Sequence, residues 1–286
     1  MADVAIFHTI EDAPLDQAVE RLRAELRTIG PLVVAFSGGA DSAFLAWMAT
    51  DELGADDVEC VTAVSASLPA DELADCRDLA RSWGLTWSSV ATDELDDPLY
   101  QVNDADRCYH CKQALARALG PVAAEAGATV ALGVNLDDLG DHRPGQQAAL
   151  DHGAVFPLVA AGFTKAMVRH ASRRLDLRTA DKPAAACLAS RIPYGTPVSL
   201  GVLGGVERAE AVLHRLGFDD VRVRHYDDTA RLEVPVDRLS DVVIAREAVV
   251  DAVLAAGYRY VTLDLEGLRS GNLNTGLVGG PDAVFT

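Results

Sequence analysis

Apolar positions along the chain recur with two periods, and their alternation predicts an architecture. Leu15, Ala18, Leu22, Leu26 and Ile29 fall three or four residues apart, which predicts an N-terminal helix packed beside the first strand. Leu32 to Phe36 is a short, β-branched, continuously apolar run, the pattern of a strand covered on both faces. Ala43, Leu45, Ala46, Met48 and Ala49 then favour a helix. Further strands are expected in "VECVTAVSA", "LTWSSVAT" and "TVALGVN", separated by helical stretches such as "ADELADCRDLARSWG" and "CKQALARALGPVAAEAG". Strands alternating with helices predict a parallel sheet with helices on both faces, and ligands then gather at the carboxyl ends of the strands. Ser37 to Ser42 and Asn135 to Gly145 occupy two such ends.

The periodicity breaks in "PAAACLASRIPYGTP", Pro183 to Pro197, where prolines and small residues intervene. Beyond it the pattern predicts a helix over 200–216, two alternating runs in "VRVRHYDDTARLEVP" joined at Asp227 and Asp228, a second helix over 240–256, and the strand "YRYVTLDLE". The expected fold class is α/β: a parallel-sheet nucleotide-binding domain over 1–194 and a smaller α/β domain over 195–286 that contributes to substrate binding.

Composition narrows the partners. A chain of 286 residues with 49% hydrophobic content can bury a substantial core. A formal charge of −18 repels phosphate backbones at long range, so a nucleic-acid partner is not expected. There is no uninterrupted apolar run of about 18 residues, and the start "MADVAIFHTIEDAPLDQ" lacks a basic segment followed by an apolar core. A cytoplasmic protein without membrane association is expected, and a homo-oligomer.

Between the first strand and its helix stands Ser37-Gly38-Gly39-Ala40-Asp41-Ser42. A helix N-terminus carries unpaired N–H groups and partial positive charge, and the glycines let a phosphate approach them without a Cβ in the way. The stretch lacks the Lys of a G-x-x-x-x-G-K-[ST] loop and does not spell G-x-G-x-x-G. S-G-G-x-D-S after a hydrophobic strand resembles the PP-loop of the adenine-nucleotide α-hydrolase-like enzymes. That resemblance implies ATP binding by Ser37, Gly38, Gly39, Asp41 and Ser42, transfer of AMP to a substrate oxygen, and pyrophosphate held by the loop. It does not choose the substrate.

The cysteines add a second constellation. Five of them in a chain expected to be cytoplasmic argue against a disulfide framework. Cys60 and Cys76 lie in apolar strand and helix patterns and read as buried small hydrophobes. Cys108 and Cys111 form C-x-x-C at the mouth of a helix, where the dipole and the neighbouring Arg107 and Lys112 favour thiolates. Cys187, in "AAACLASR", offers a third sulfur. Three thiolates suit a [4Fe-4S] cluster with one open iron, able to hold exogenous sulfide, or zinc with His110 or a carboxylate as fourth ligand. Alternatively Cys187 gives up its own sulfur to an activated carbonyl.

"DRCYHCK", "GVNLDDLGDHRPG", "ACLASRIPYGTPV", "RVRHYDDTARLEVP" and "YVTLDLEGLRSGNLN", together with the loop, resemble the LarE family of ATP-dependent pyridinium-3,5-biscarboxylate mononucleotide sulfurtransferases, over residues 15–275. The resemblance implies adenylation of a substrate carboxylate and its conversion to a thiocarboxylate for a nickel-pincer nucleotide, the cofactor of lactate racemase. Some members sacrifice a cysteine matching Cys187; others, with the C-x-x-C as well, resemble [4Fe-4S] enzymes, and this chain has all three sulfurs.

Elementary chemistry agrees with that reading. A carboxylate becomes an acyl donor once AMP is its leaving group, and Mg²⁺ neutralises charge as pyrophosphate departs. Asp41, Asp138 and Cys187 are the expected catalytic residues, and Cys108, Cys111 and Cys187 the expected cluster ligands. An anionic mononucleotide needs cations, for which Arg191, Arg222, Arg224 and Arg269 are expected, with Ser190 as a neutral donor. Asp137, Asp138 and Asp141 sit at a strand end, where orienting metal or substrate competes with helix capping; His110 and His142 carry no assignment. Sulfide or a sulfur-delivery protein is the further partner. Three rivals share parts of the pattern: a PP-loop tRNA thiolase, disfavoured by the acidic balance; an ammonia-using amide synthetase, which has no need of three cysteines; and a non-catalytic nucleotide-binding module.

Overall fold

A computed structural model describes residues 12–140, 144–183, 186–269 and 272–274. The first half alternates strand and helix: α1 (Asp12–Ile29), β1 (Leu32–Ala35), α2 (Ala40–Leu53), β2 (Val58–Val64), α3 (Ala70–Trp83), β3 (Thr86–Ala91), α4 (Pro98–Val102), α5 (Arg107–Ala126) and β4 (Thr129–Leu132). Next come α6 (Pro144–Asp151), α7 (Pro157–Ala160) and α8 (Lys165–Arg174), then α9 (Leu200–Arg215), β5 (Arg222–Tyr226), β6 (Thr229–Glu233), α10 (Leu239–Ile244), α11 (Arg246–Ala255) and β7 (Tyr260–Leu263). By contact density the described residues form two compact units. The described residues within 12–64, 70–92 and 111–183 supply the first; those within 65–69, 93–110 and 186–274 supply the second.

The first unit holds a four-stranded sheet in the order β3-β2-β1-β4, every pair parallel. Alternate side chains leave the sheet on opposite faces. Leu32, Val34, Val58 and Cys60 join α1, α2, α3 and α8 in the larger core, whereas Val33 and Val61 meet Leu119 and Ala123 of α5 on the other side. Burial on both faces is why β1 reads as an unbroken apolar run. Because β1 is a central strand, the loop leaving it emerges in the middle of the sheet's carboxyl edge.

The second unit contains a smaller sheet in the order β5-β6-β7, with β5 and β6 antiparallel and β6 and β7 parallel. Asp227 turns the hairpin with φ +50, a conformation that Asp tolerates better than most residues. Leu213 of α9, Val223 of β5, Leu232 of β6 and Val253 of α11 share its core. The helix expected over 240–256 is two helices: Ala245, at φ −87 and ψ 13, opens one turn between α10 and α11. Among the described residues no helix is long and apolar enough to cross a membrane.

Candidate active site

The sheet's carboxyl edge carries the nucleotide-loop candidate. Gly39 caps α2 without a side-chain hydrogen bond to its first turn, so those N–H groups are available to an anion. Gly38 has two reasons to be glycine: its φ is +68, and a Cβ there would stand 2.8 Å from the Cys76 sulfur. Ser37 is exposed, whereas Ser42 is buried. The Ser42 hydroxyl accepts from the Ser37 N–H at 3.3 Å, lies 3.0 Å from the Ser37 hydroxyl and donates to the Gly39 carbonyl at 3.2 Å. Ser42 therefore braces the loop from inside.

Asp41 is half-buried and accepts a 3.1 Å hydrogen bond from the Asn135 amide. Burial pushes its carboxyl above the ordinary value, opposed by that hydrogen bond and by Lys165, and reinforced by Asp138. Asn135, fully buried just beyond β4, organises the cluster: its N–H donates to the Asp138 carboxylate at 3.2 Å, and its side-chain oxygen accepts from the N–H groups of Asp137 and Asp138 at 3.0 and 3.3 Å. The Asp137 carboxylate accepts from the N–H of Lys165, the first residue of α8, at 2.7 Å. Asp137 thus takes the capping role, and Asp138 faces Asp41. Gly133 lets β4 run close to α2, since a Cβ there would fall 2.7 Å from the Ser42 nitrogen. Lys165 and Arg169 bring positive charge to Asp41. Asn135 stood among the sequence candidates only as the start of the strand-end stretch 135–145, and neither these two cations nor Gly133 were among them. The strand-end position of Asn135 was the available signal; for Lys165 and Arg169 there is none short of the tertiary fold. Asp141 and His142 lie outside the described residues.

Cys60 and Cys76 are fully buried, and burial pushes the Cys60 thiol up to about 12. Cys108 is exposed in the first turn of α5, and Cys111, half-buried, follows one turn later. Cys187, half-buried, precedes a short 3₁₀ turn, Leu188–Arg191. Three thiols match the donor chemistry of an iron–sulfur cluster. No group of three or more His, Cys, Asp or Glu side chains able to hold a metal ion is assembled among the described residues. His110, between the two cysteines of α5, has Nδ1 3.1 Å from an Asp97 carboxylate oxygen.

Arg191 is buried against Glu210 through two contacts of 2.9 and 3.0 Å, and also donates to the carbonyls of Ala186 and Cys187 and to the Ser190 hydroxyl. Arg224 is buried against Glu233 at 2.7 and 2.9 Å and donates to the Ser190 carbonyl at 2.9 Å. Both guanidiniums therefore hold the Cys187 to Arg191 turn in place. Arg222 is half-buried; burial, then Arg191 and Arg224, pull it below its ordinary value. Arg269 lies on a cavity of about 580 Å³ that it shares with Tyr194, Tyr226, Arg231 and Asn272, where it contacts Glu266 and donates to the Asn272 side-chain oxygen at 3.1 Å.

Sheet, loop and uncapped helix together define an α/β protein with a PP-loop-like domain and a smaller sheet. The chain belongs to the family of the pyridinium-3,5-bisthiocarboxylic acid mononucleotide synthase of Lactiplantibacillus plantarum, the LarE family, with 37% identity over 265 residues, which are 92% of this chain and 96% of that protein. It is 41% identical over 263 residues to an uncharacterized protein of Synechocystis sp., covering 91% of this chain and 98% of the other. A protein of Methanocaldococcus jannaschii, also uncharacterized, is 24% identical over 240 residues, covering 84% and 91%. No family model matches the chain.

Proposed function

We propose that this protein is an ATP-dependent, AMP-forming sulfurtransferase that converts a carboxylate of pyridinium-3,5-biscarboxylic acid mononucleotide into a thiocarboxylate in nickel-pincer nucleotide biosynthesis. The observation that carries this reading is the near full-length relationship to a synthase named for the bisthiocarboxylic mononucleotide. The uncapped α2 N-terminus behind the Ser37 to Ser42 loop supports the ATP-dependent step.

In this mechanism the loop N–H groups hold the β- and γ-phosphates of ATP, while Asp41 and Asp138, set by Asn135, would hold Mg²⁺, which would neutralise phosphate charge. Lys165 and Arg169 face the charge that develops on pyrophosphate. A substrate carboxylate oxygen attacks the α-phosphorus, the bond to pyrophosphate breaks, and an acyl-adenylate forms. A sulfur nucleophile then adds to the carbonyl carbon and AMP leaves. Arg269 and Arg231 receive the anionic mononucleotide, and Arg222 contributes a further cation beside the Cys187 turn that Arg191, Arg224 and Ser190 shape. Cys108, Cys111 and Cys187 are the residues that would hold a [4Fe-4S] cluster, and such a cluster would supply sulfide-level sulfur, received free or from a delivery protein, to the activated carbonyl.

The test is to incubate anaerobically reconstituted protein with ATP, Mg²⁺, sulfide and the biscarboxylate mononucleotide. AMP, pyrophosphate and product in which sulfur has replaced oxygen are expected, over repeated turnovers with all three cysteines intact. Absence of AMP sinks the adenylation step. A single turnover that leaves Cys187 lighter by the mass of H₂S makes that residue the donor in place of the cluster.

A further inference from the structure

A guanidinium withdrawn from water ordinarily faces a carboxylate, because an isolated buried cation is costly. Arg191 and Arg224 obey this rule, each meeting a buried glutamate. Arg107, only 5% exposed, does not: among the described residues it has no carboxylate within ion-pair distance. Its guanidinium donates to neutral groups, the Asn103 side-chain oxygen at 2.5 Å and the Ala189 carbonyl at 2.8 Å, and its central carbon sits 5.5 Å from the centre of the Tyr194 ring.

Two cysteine-bearing segments meet at this cation. Cys108 is the next residue, and the bond to Ala189 carries the guanidinium to the turn that Cys187 opens. The mount is rigid. Asn103, fully buried with φ 60, donates from its amide to the carbonyls of Pro193 and Thr196, each at 2.8 Å, while its own carbonyl accepts from the Gly195 N–H at 3.0 Å. Arg107 is thereby pinned across two chain segments, each of which bears a cysteine.

We propose that Arg107 is the positioning residue of the sulfur site: a buried cation, held by Asn103, that presents positive charge to the sulfurs of Cys187 and Cys108. Its assignment to sulfur transfer rests on the function proposed above; the charge relation does not.

The two are separable by alkylating iron-free, full-length protein at one pH with an equimolar mixture of iodoacetate and iodoacetamide. Each reagent places its carbon on sulfur and expels iodide, and both consume the same ionised sulfur. Their product ratio at a given cysteine therefore reads local potential and not the fraction ionised. Peptide mass spectrometry gives the ratio at Cys187 and Cys108 separately. Relative to N-acetylcysteinamide, a neutral free thiol, both should favour the anionic reagent by about threefold or more, against the repulsion of a chain of net charge −18. Arg107→Gln should bring the ratio down to that of the free thiol or below, and Arg107→Lys should restore part of it. A wild-type ratio at Cys187 no higher than the free thiol's overturns the proposal, even should the Gln variant not fold; so does an unchanged ratio in a folded Arg107→Gln protein. A protein that shows the ratio yet forms no thiocarboxylate keeps the charge relation and rejects the proposed function.

Discussion

Asp41 is placed at a cost to the fold. Burial holds its carboxyl above the ordinary 3.8, so the folded chain binds a proton there more tightly than the unfolded chain. A raised carboxyl favours folding near its ordinary pKa and loses that contribution as pH rises through its folded value, so at neutral pH the ionised group works against stability. Asp41→Asn should raise the urea midpoint at pH 7, with a gain that shrinks as pH falls towards 4, and should lower AMP formation by about 100-fold. An Asn variant that loses stability at pH 7 contradicts the sign. The arginines of β5 separate in the same way. Arg224→Ala leaves one oxygen of the buried Glu233 without its cation, while Arg231 and Asn272 keep the other, and should destabilise the protein by about 2 kcal/mol, read as a lowered denaturation midpoint. Arg222→Ala should leave the midpoint nearly unchanged and weaken the mononucleotide, relative to ATP, by about 2 kcal/mol, read by titration of each ligand.

At the scale of elements, the approach of β4 to the first turn of α2 decides whether the loop can form. An alanine Cβ at Gly133 would stand 2.7 Å from the Ser42 nitrogen and 2.8 Å from its Cα, and neither backbone atom can yield without moving the loop. Gly133→Ala should therefore cost about 2 kcal/mol of stability and reduce ATP turnover more than Gly120→Ala, where nothing lies within 4 Å. Equal effects of the two substitutions on AMP formation would dissociate this contact from the loop. The elements themselves were legible in the sequence wherever burial imposed a period: the unbroken run of β1, the amphipathic α1 and the β5–β6 hairpin each announce which faces are covered. Asn135 was legible only as a strand-end position, and Gly133 not at all, because the demand on each comes from the first turn of α2, far away in the chain, and leaves no local pattern. The same holds for the buried glutamates that face Arg191 and Arg224, which made those arginines read as substrate ligands alone.

Over the whole molecule, a net charge of −18 opposes the approach of anionic nucleotides. Under the proposed function, ATP binds locally, at the loop and its nearby cations, against an unfavourable long-range field. Screening weakens the distant repulsion more than the close contacts. The KM for ATP, at fixed free Mg²⁺, should accordingly fall or stay level as KCl rises from 50 to 200 mM; a steep rise would point to an extended basic surface instead.

The second unit draws on residues 65–69 and 93–110 as well as on everything from 186 onward. A ribosome delivers the first two segments long before the last. Asn103 and Arg107 therefore leave the exit tunnel well ahead of Ala189, Pro193 and Thr196, to which the finished fold binds them. Such late closure is slow and leaves incomplete chains open to capture. During synthesis the nascent chain must carry its C-x-x-C helix with the partners of Asn103 and Arg107 still missing, which makes that stretch the natural place for a chaperone to hold, or a protease to cut, until the C-terminal third has been made.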